Sequence, residues 1–143
     1  LSNRGHIIGT HTHNHYMPFY SLDESSMFNE WELSTKILAD ILGKRIQFGS
    51  IPGGDMNLLS CQTAAKAGIS TMFTSEISIR PFIRSGVTCF GRVPVSCTTS
   101  SKDIQKWSIH KVIGSELLKR KMKNLTKRIY YRIKSDIRRP GVN

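Results

Sequence analysis

Four of the chain's five histidines, His6, His11, His13 and His15, lie in one short segment, GHIIGTHTHNH, from Gly5 to His15. Imidazole is the commonest protein ligand for zinc and similar divalent ions. A metal site needs at least two neutral rings whose nitrogens converge on one point. His11 and His15 stand four residues apart, so a chain that turned helical after Gly9 would carry both rings on one face and send His13 elsewhere. Thr12 is placed to bond nearby backbone through its hydroxyl and fix the turn behind such ligands. By residue type alone the pair reads either as two metal ligands or as a chance spacing on a solvated helix. His6, ahead of the apolar Ile7 and Ile8, reads as a packed core histidine, and His13 as exposed.

These residues need elements to hold them. HIIGTHT reads as a short buried strand running into a loop. Leu33, Ile37, Leu38 and Ile41 recur at helical spacing, with Ser25 or Ser26 as the cap and Gly43 as the C-terminal glycine. RIQFGSI reads as a second strand broken by PGGDMN, and LLSCQTAAKAG as a helix stopped by Gly68. ISTMFTSE and CFGRVPVS read as further strands, Pro94 marking an edge or end. A short helix follows, capped by Ser100 or Ser101, and then a long one from about Ser115 to Ile137. Strand and helix in alternation predict an α/β fold with parallel strands, whose chemistry gathers at the carboxyl ends of the strands. THTHNH and SIPGGD both follow strands and are expected at the same end of the sheet.

The 143 residues suffice for one domain with a core of its own. Cys61, Cys89 and Cys97 show no CxxC spacing, which argues against a disulfide framework or a cysteine zinc site and for buried free thiols. Charge is uneven. Residues 101–143 hold thirteen of the 21 Lys and Arg and three of the ten Asp and Glu, so the net charge of +11 belongs almost wholly to the tail. No signal-peptide pattern and no apolar run of membrane-spanning length occurs, which favours a cytoplasmic or peripheral membrane location. The opening LSNRGHIIG, without a Met, reads as a loop already feeding a strand and suggests a domain that begins upstream of Leu1.

GHIIGTHTHNH resembles the second motif of the NodB-homology polysaccharide deacetylases, carbohydrate esterase family 4, a His-(Ser/Thr)-x-x-His pattern that His11, Thr12 and His15 fit. FGSIPGGDMN is similar to the family's Arg-x-Pro-x-Gly motif at Pro52 and Gly54, with Ser50 in the arginine's place. AGISTMFTSE and GRVPVSCTTS resemble segments of one subgroup. The likeness covers about residues 5–107. It implies a partial, deformed (β/α) barrel of NodB type, with residues 1–107 as the C-terminal portion of the deacetylase domain and 108–143 as a basic amphipathic helical tail. It also implies that His11 and His15 bind a divalent metal, usually zinc. The third ligand and the base are aspartates of a TFDDG-like motif that these residues do not contain.

The reaction so implied is hydrolysis of N-acetyl, or O-acetyl, groups on an N-acetylated polysaccharide or oligosaccharide. The resemblance assigns Gly53 as backbone donor to the oxyanion, and places Pro52, Gly54 and Asp55 beside substrate. Asp55 also reads as a helix cap, Glu76 as a residue that lines the pocket, and Trp31 and Trp107 as packing rather than sugar platforms. No residue fits the family's late histidine motif, His110 lying in a predicted helix. The chain alone is therefore expected to release no acetate. The alternative is a non-catalytic, deacetylase-like domain that binds glycan or a membrane surface.

In the tail, Leu118, Met122, Leu125, Ile129, Ile133 and Ile137 form one apolar stripe. Lys119, Lys121, Lys123, Lys127, Arg128, Arg132 and Lys134 occupy most of the rest. Three readings stand: the stripe packs on the domain, residues 115–139 lie on an anionic membrane surface, or the tail binds nucleic acid. The last has no groove-reading motif to support it.

Overall fold

The structure is a computed structural model that describes residues 1–78, 80–93 and 95–109, together with 114, 118, 122, 123, 125, 126, 129, 130 and 133. The chain divides into two compact units, Leu1–Pro94 and Val95–Asn143. Pro94, His110, Ile137 and the tail cations other than Lys123 lie outside the described residues.

The first unit is α/β. Helix α1 spans Glu24–Leu42 and α2 spans Leu58–Lys66, while β1 (Phe48–Ser50), β2 (Thr71–Phe73), β3 (Phe82–Arg84) and β4 (Val87–Phe90) form one sheet in the order β1-β2-β4-β3. β1, β2 and β4 run parallel, and β3 is antiparallel to β4. The β3–β4 hairpin is absent from the sequence reading. It closes on Ser85 and Gly86, at φ 51° and 78°, the paired positive values that suit a two-residue turn to the twist of its strands. The segment HIIGTHT is not a full strand. Only Thr10 pairs, in a parallel bridge to Gly49, and His6 and Ile7 are exposed where a packed histidine and a buried strand were expected.

Helix α1 is capped by Asp23 rather than by Ser25 or Ser26. The Asp23 carboxylate accepts the Ser26 N–H at 2.8 Å, and that backbone bond, more than any other cause, holds its pKa below the ordinary carboxylate value. Gly43 ends the helix in the left-handed region, as expected. The buried face carries Met27, Glu30, Trp31 and Ser34. Leu33, Ile37 and Ile41, the residues whose spacing marked the helix, are on its exposed side. α2 is capped by Asn57 in a reciprocal box with Ser60, which takes from Asp55 the capping role considered above.

The core lies between the helices and the sheet. Trp31 is fully buried, edge-on to Phe19 at 5.2 Å, and joins Met27, Ile51, Met72 and Val87. Cys61 and Cys89 belong to it, and Cys97, in the second unit, is exposed, contrary to the expectation of three buried thiols. Burial pushes the Cys61 thiol up to about 12 and raises Cys89 as well. In the second unit α3 spans Ser101–Ile109. Ser100 caps it through the Asp103 N–H, and Trp107 is half-buried.

A raised thiol pKa keeps the nucleophilic thiolate scarce, and burial blocks the reagent. Iodoacetamide at mildly alkaline pH should therefore label the folded protein on Cys97 alone, and all three cysteines after denaturation. Native-state label on Cys61 or Cys89, read by peptide mass, would contradict this packing.

Candidate functional site

The histidine loop is built outward from Thr10. Its N–H donates to the Phe48 carbonyl at 2.8 Å, and its carbonyl accepts the Ser50 N–H at 2.9 Å. Its hydroxyl is hydrogen-bonded to the Ser34 hydroxyl of α1 and accepts the Thr12 N–H at 3.2 Å. Thr10 thus ties the loop to β1 on one side and to α1 on the other.

Past Thr10 the chain does not become helical. Thr12 and His15 both have positive φ, 64° and 56°, uncommon for residues with a Cβ. Glu30 accounts for the fold of this turn. Its carboxylate, 4% exposed, accepts the His13 N–H at 3.0 Å and the Asn14 N–H at 2.7 Å on one oxygen, and the Asn14 side-chain N–H at 2.7 Å on the other. A buried carboxylate bonded in this way satisfies loop donors that helix formation would otherwise have used.

The turn brings His11 and His15 together by a different route from the helical one the spacing suggested. Their ring centroids are 4.9 Å apart, tilted by 57°. His11 Nδ1 lies 2.9 Å from the Ser50 carbonyl and 2.7 Å from the Ser50 hydroxyl. A carbonyl only accepts, so Nδ1 donates to it, and in the neutral ring Nε2 then keeps its lone pair. His13 is exposed.

The arrangement fits a metal ion in part. A histidine fixed through one nitrogen by a carbonyl, with the other nitrogen free, is how ligand histidines are held. The Thr12 hydroxyl, expected to bond nearby backbone, is buried with no hydrogen-bond partner among the described residues. It is therefore available to a group that arrives with polar atoms of its own. Among the described residues no three His, Cys, Asp or Glu side chains form a group that could hold a metal ion, and His11 and His15 make a pair.

His11 and Ser50 open onto a cleft of about 410 Å³, bordered also by Thr10, Phe73 and Arg92. Ser50 and Phe73 are the last residues of parallel strands, so the cleft sits where α/β sheets gather their chemistry. Pro52, Gly53 and Gly54 form a 3-10 turn just after β1. Gly54 has φ 72°, and a Cβ there would come 1.8 Å from the Ser75 hydroxyl. Gly53, at φ 68°, and Asp55 are half-buried. Neither is among the residues lining the cleft, and neither is Glu76, whose carbonyl accepts the Arg92 N–H. Phe73 and Arg92 also line the cleft; they lie in AGISTMFTSE and GRVPVSCTTS, the segments similar to one subgroup, though neither stands out there as a site residue. Glu30 was missed in the sequence; the one signal that could have found it is its place at i+3 from Met27 and beside Trp31, on the face that the structure buries.

A profile of the family described as polysaccharide deacetylase matches residues 1–72, half of the chain, including the histidine loop and the PGG turn. The chain belongs to the polysaccharide deacetylase family. Solved deacetylase structures share its fold. The structure of IcaB from Ammonifex degensii aligns with TM-score 0.57 at 20% identity, over 71% of this chain and 46% of that one. The Streptococcus pyogenes deacetylase PplD, in complex with acetate, aligns with TM-score 0.51 at 17% identity, over 67% and 42%. A de-N-acetylase from Aggregatibacter actinomycetemcomitans gives TM-score 0.50 at 18% identity, over 59% and 31%. The chain therefore spans between about a third and a half of these deacetylases. No curated protein matches it by sequence.

Two substitutions test the supports of this deacetylase-family site. Glu30→Ala strips three loop donors of their acceptor and is expected to cost about 3 kcal/mol. It should also speed amide exchange at His13 and Asn14, and protection there equal to wild type would remove Glu30 from this role. Gly54→Ala is expected to cost more than about 1 kcal/mol in urea unfolding, because a Cβ meets Ser75 and the backbone is left-handed.

Proposed function

We propose that this chain is the C-terminal portion of a metal-dependent polysaccharide deacetylase domain, acting on N-acetyl or O-acetyl groups of a carbohydrate. The observation that carries the proposal is the His11–His15 pair, with His11 Nδ1 held on Ser50, inside the segment that matches the family. In this reading the four-stranded sheet is part of a deformed (β/α) barrel completed by further residues. Those residues would bring the acidic ligand and the base.

His11 and His15 would hold a divalent ion, zinc being the natural choice for an imidazole pair joined by a carboxylate. Bound there, such an ion supplies a Lewis acid for the acyl carbonyl and a water acidic enough to ionise near neutrality. Ser50 keeps the lone pair of His11 Nε2 turned away from its own hydrogen bonds. The Thr12 hydroxyl offers a buried partner to the bound group. Gly53 is assigned, through its backbone N–H, the negative charge that develops on the acyl oxygen. Pro52, Gly54 and Asp55 shape the turn that presents it, and the cleft beside His11 is assigned to the sugar.

A second reading, glycan binding without catalysis, is favoured by Ser50, which stands where the family resemblance places an arginine. Retention on N-acetylated oligosaccharide that survives His11→Ala would select it.

Cobalt(II), a coloured substitute for zinc, tests the metal reading directly. The wild-type chain should give visible ligand-field bands on titration. His11→Ala and His15→Ala should each weaken binding about tenfold or more, and His13→Ala should leave it unchanged. Equal binding by all four proteins would overturn the assignment. With chitooligosaccharide the chain by itself should release no acetate. Chelator-sensitive release would show that these residues already hold a complete catalytic set.

A further inference from the structure

The tail carries an inference that does not depend on the deacetylase reading. Every described residue from Gly114 to Ile133 is helical, and the Thr126 hydroxyl bonds the Met122 carbonyl one turn back, at 3.0 Å. Leu118, Met122, Leu125, Ile129 and Ile133 are 62, 64, 61, 51 and 54% exposed. On an ideal helix, steps of four, three, four and four residues keep these positions within an arc of roughly 80°. These five described side chains of the apolar stripe are open to solvent.

Charge decides what would cover it. Residues 116–139 carry ten Lys and Arg against only Glu116 and Asp136, and Lys123 is exposed. A second copy of the tail would cover the stripe but set ten cations beside ten. A nucleic acid would take the cations and leave five apolar side chains in water. An anionic bilayer answers both features, with headgroup phosphates for the cations and the acyl boundary for the stripe. Among the described residues no helix is long and apolar enough to cross a membrane, so the helix would lie in the plane of the surface.

We propose that residues 115–139 dock the protein on an anionic lipid surface, inserting Leu118, Met122, Leu125, Ile129 and Ile133 at headgroup depth. The stripe gives depth and the cations give the choice of lipid, so neither suffices alone.

The test is sedimentation of the full chain with phosphatidylcholine vesicles, with and without phosphatidylglycerol. Binding should require phosphatidylglycerol and weaken with added salt. Leu125→Glu with Ile129→Glu should reduce affinity about tenfold or more. Lys123→Glu with Lys127→Glu should reduce it about fivefold or more for each lysine. Unchanged urea unfolding of the first unit in both variants excludes global misfolding. Equal binding to pure phosphatidylcholine would overturn the proposal, as would indifference to the stripe substitutions. So would retention on duplex DNA without vesicle binding, or a dimer that those substitutions dissociate while vesicles bind nothing.

Discussion

One buried carboxylate holds the histidine loop in its working shape. Glu30 sits on the buried face of α1 with Met27, Trp31 and Ser34, and accepts three hydrogens from His13 and Asn14. Without that acceptor, two backbone N–H groups would lack partners in a turn that already contains two residues at positive φ. The desolvation of the acid and the strain of the turn offset one another only when both are present. The position of His15 relative to His11 follows from this clamp rather than from any regular element.

The clamp works because α1 and the sheet are themselves joined through Thr10. Its backbone adds to the edge of β1, and its hydroxyl meets Ser34 one helical turn from Glu30. Ser50, at the end of β1, then receives His11 Nδ1. The pair is thus referenced to a strand end on one side and to a helix on the other, both anchored in the Trp31–Met72 core. A site set on rigid elements in this way needs little reorganisation when a ligand arrives. The basic character of the chain lies elsewhere, in a second unit with its own chemistry, and a net charge of +11 says little about the cleft.

The alternation of strands and helices was readable because hydrophobic period, glycine stops and caps agreed along 43–73, where β1, α2 and β2 all fall inside their expected segments. The resemblance of GHIIGTHTHNH to a deacetylase motif was readable because sequence motifs record side-chain roles directly. What escaped is non-local. His6 and Ile7 were expected inside because apolar neighbours suggest a strand, yet only Thr10 pairs with β1. The hairpin of β3 and β4 is set by Ser85-Gly86, a turn signal obscured by the weak strands around it. The spacing of Leu33, Ile37 and Ile41 marked the helix α1 without showing which of its faces is buried. Trp31 and Met27 bury more surface each and decide the matter. Spacing likewise implied a helix for His11 and His15. The loop achieves the same convergence through Glu30, whose three hydrogen bonds come from residues 17 and 16 positions away in sequence.

The proposed function requires His11 and His15 to act as one ligand pair, with His11 presenting Nε2. A zinc titration followed on the ring nitrogens by long-range ¹H–¹⁵N correlation tests it most directly. The prediction is that His11 Nε2 and one nitrogen of His15 shift together, that His11 Nδ1 keeps its proton on Ser50, and that His6 and His13 do not move. Equal shifts at all four rings, or a His11 that binds through Nδ1, would contradict it.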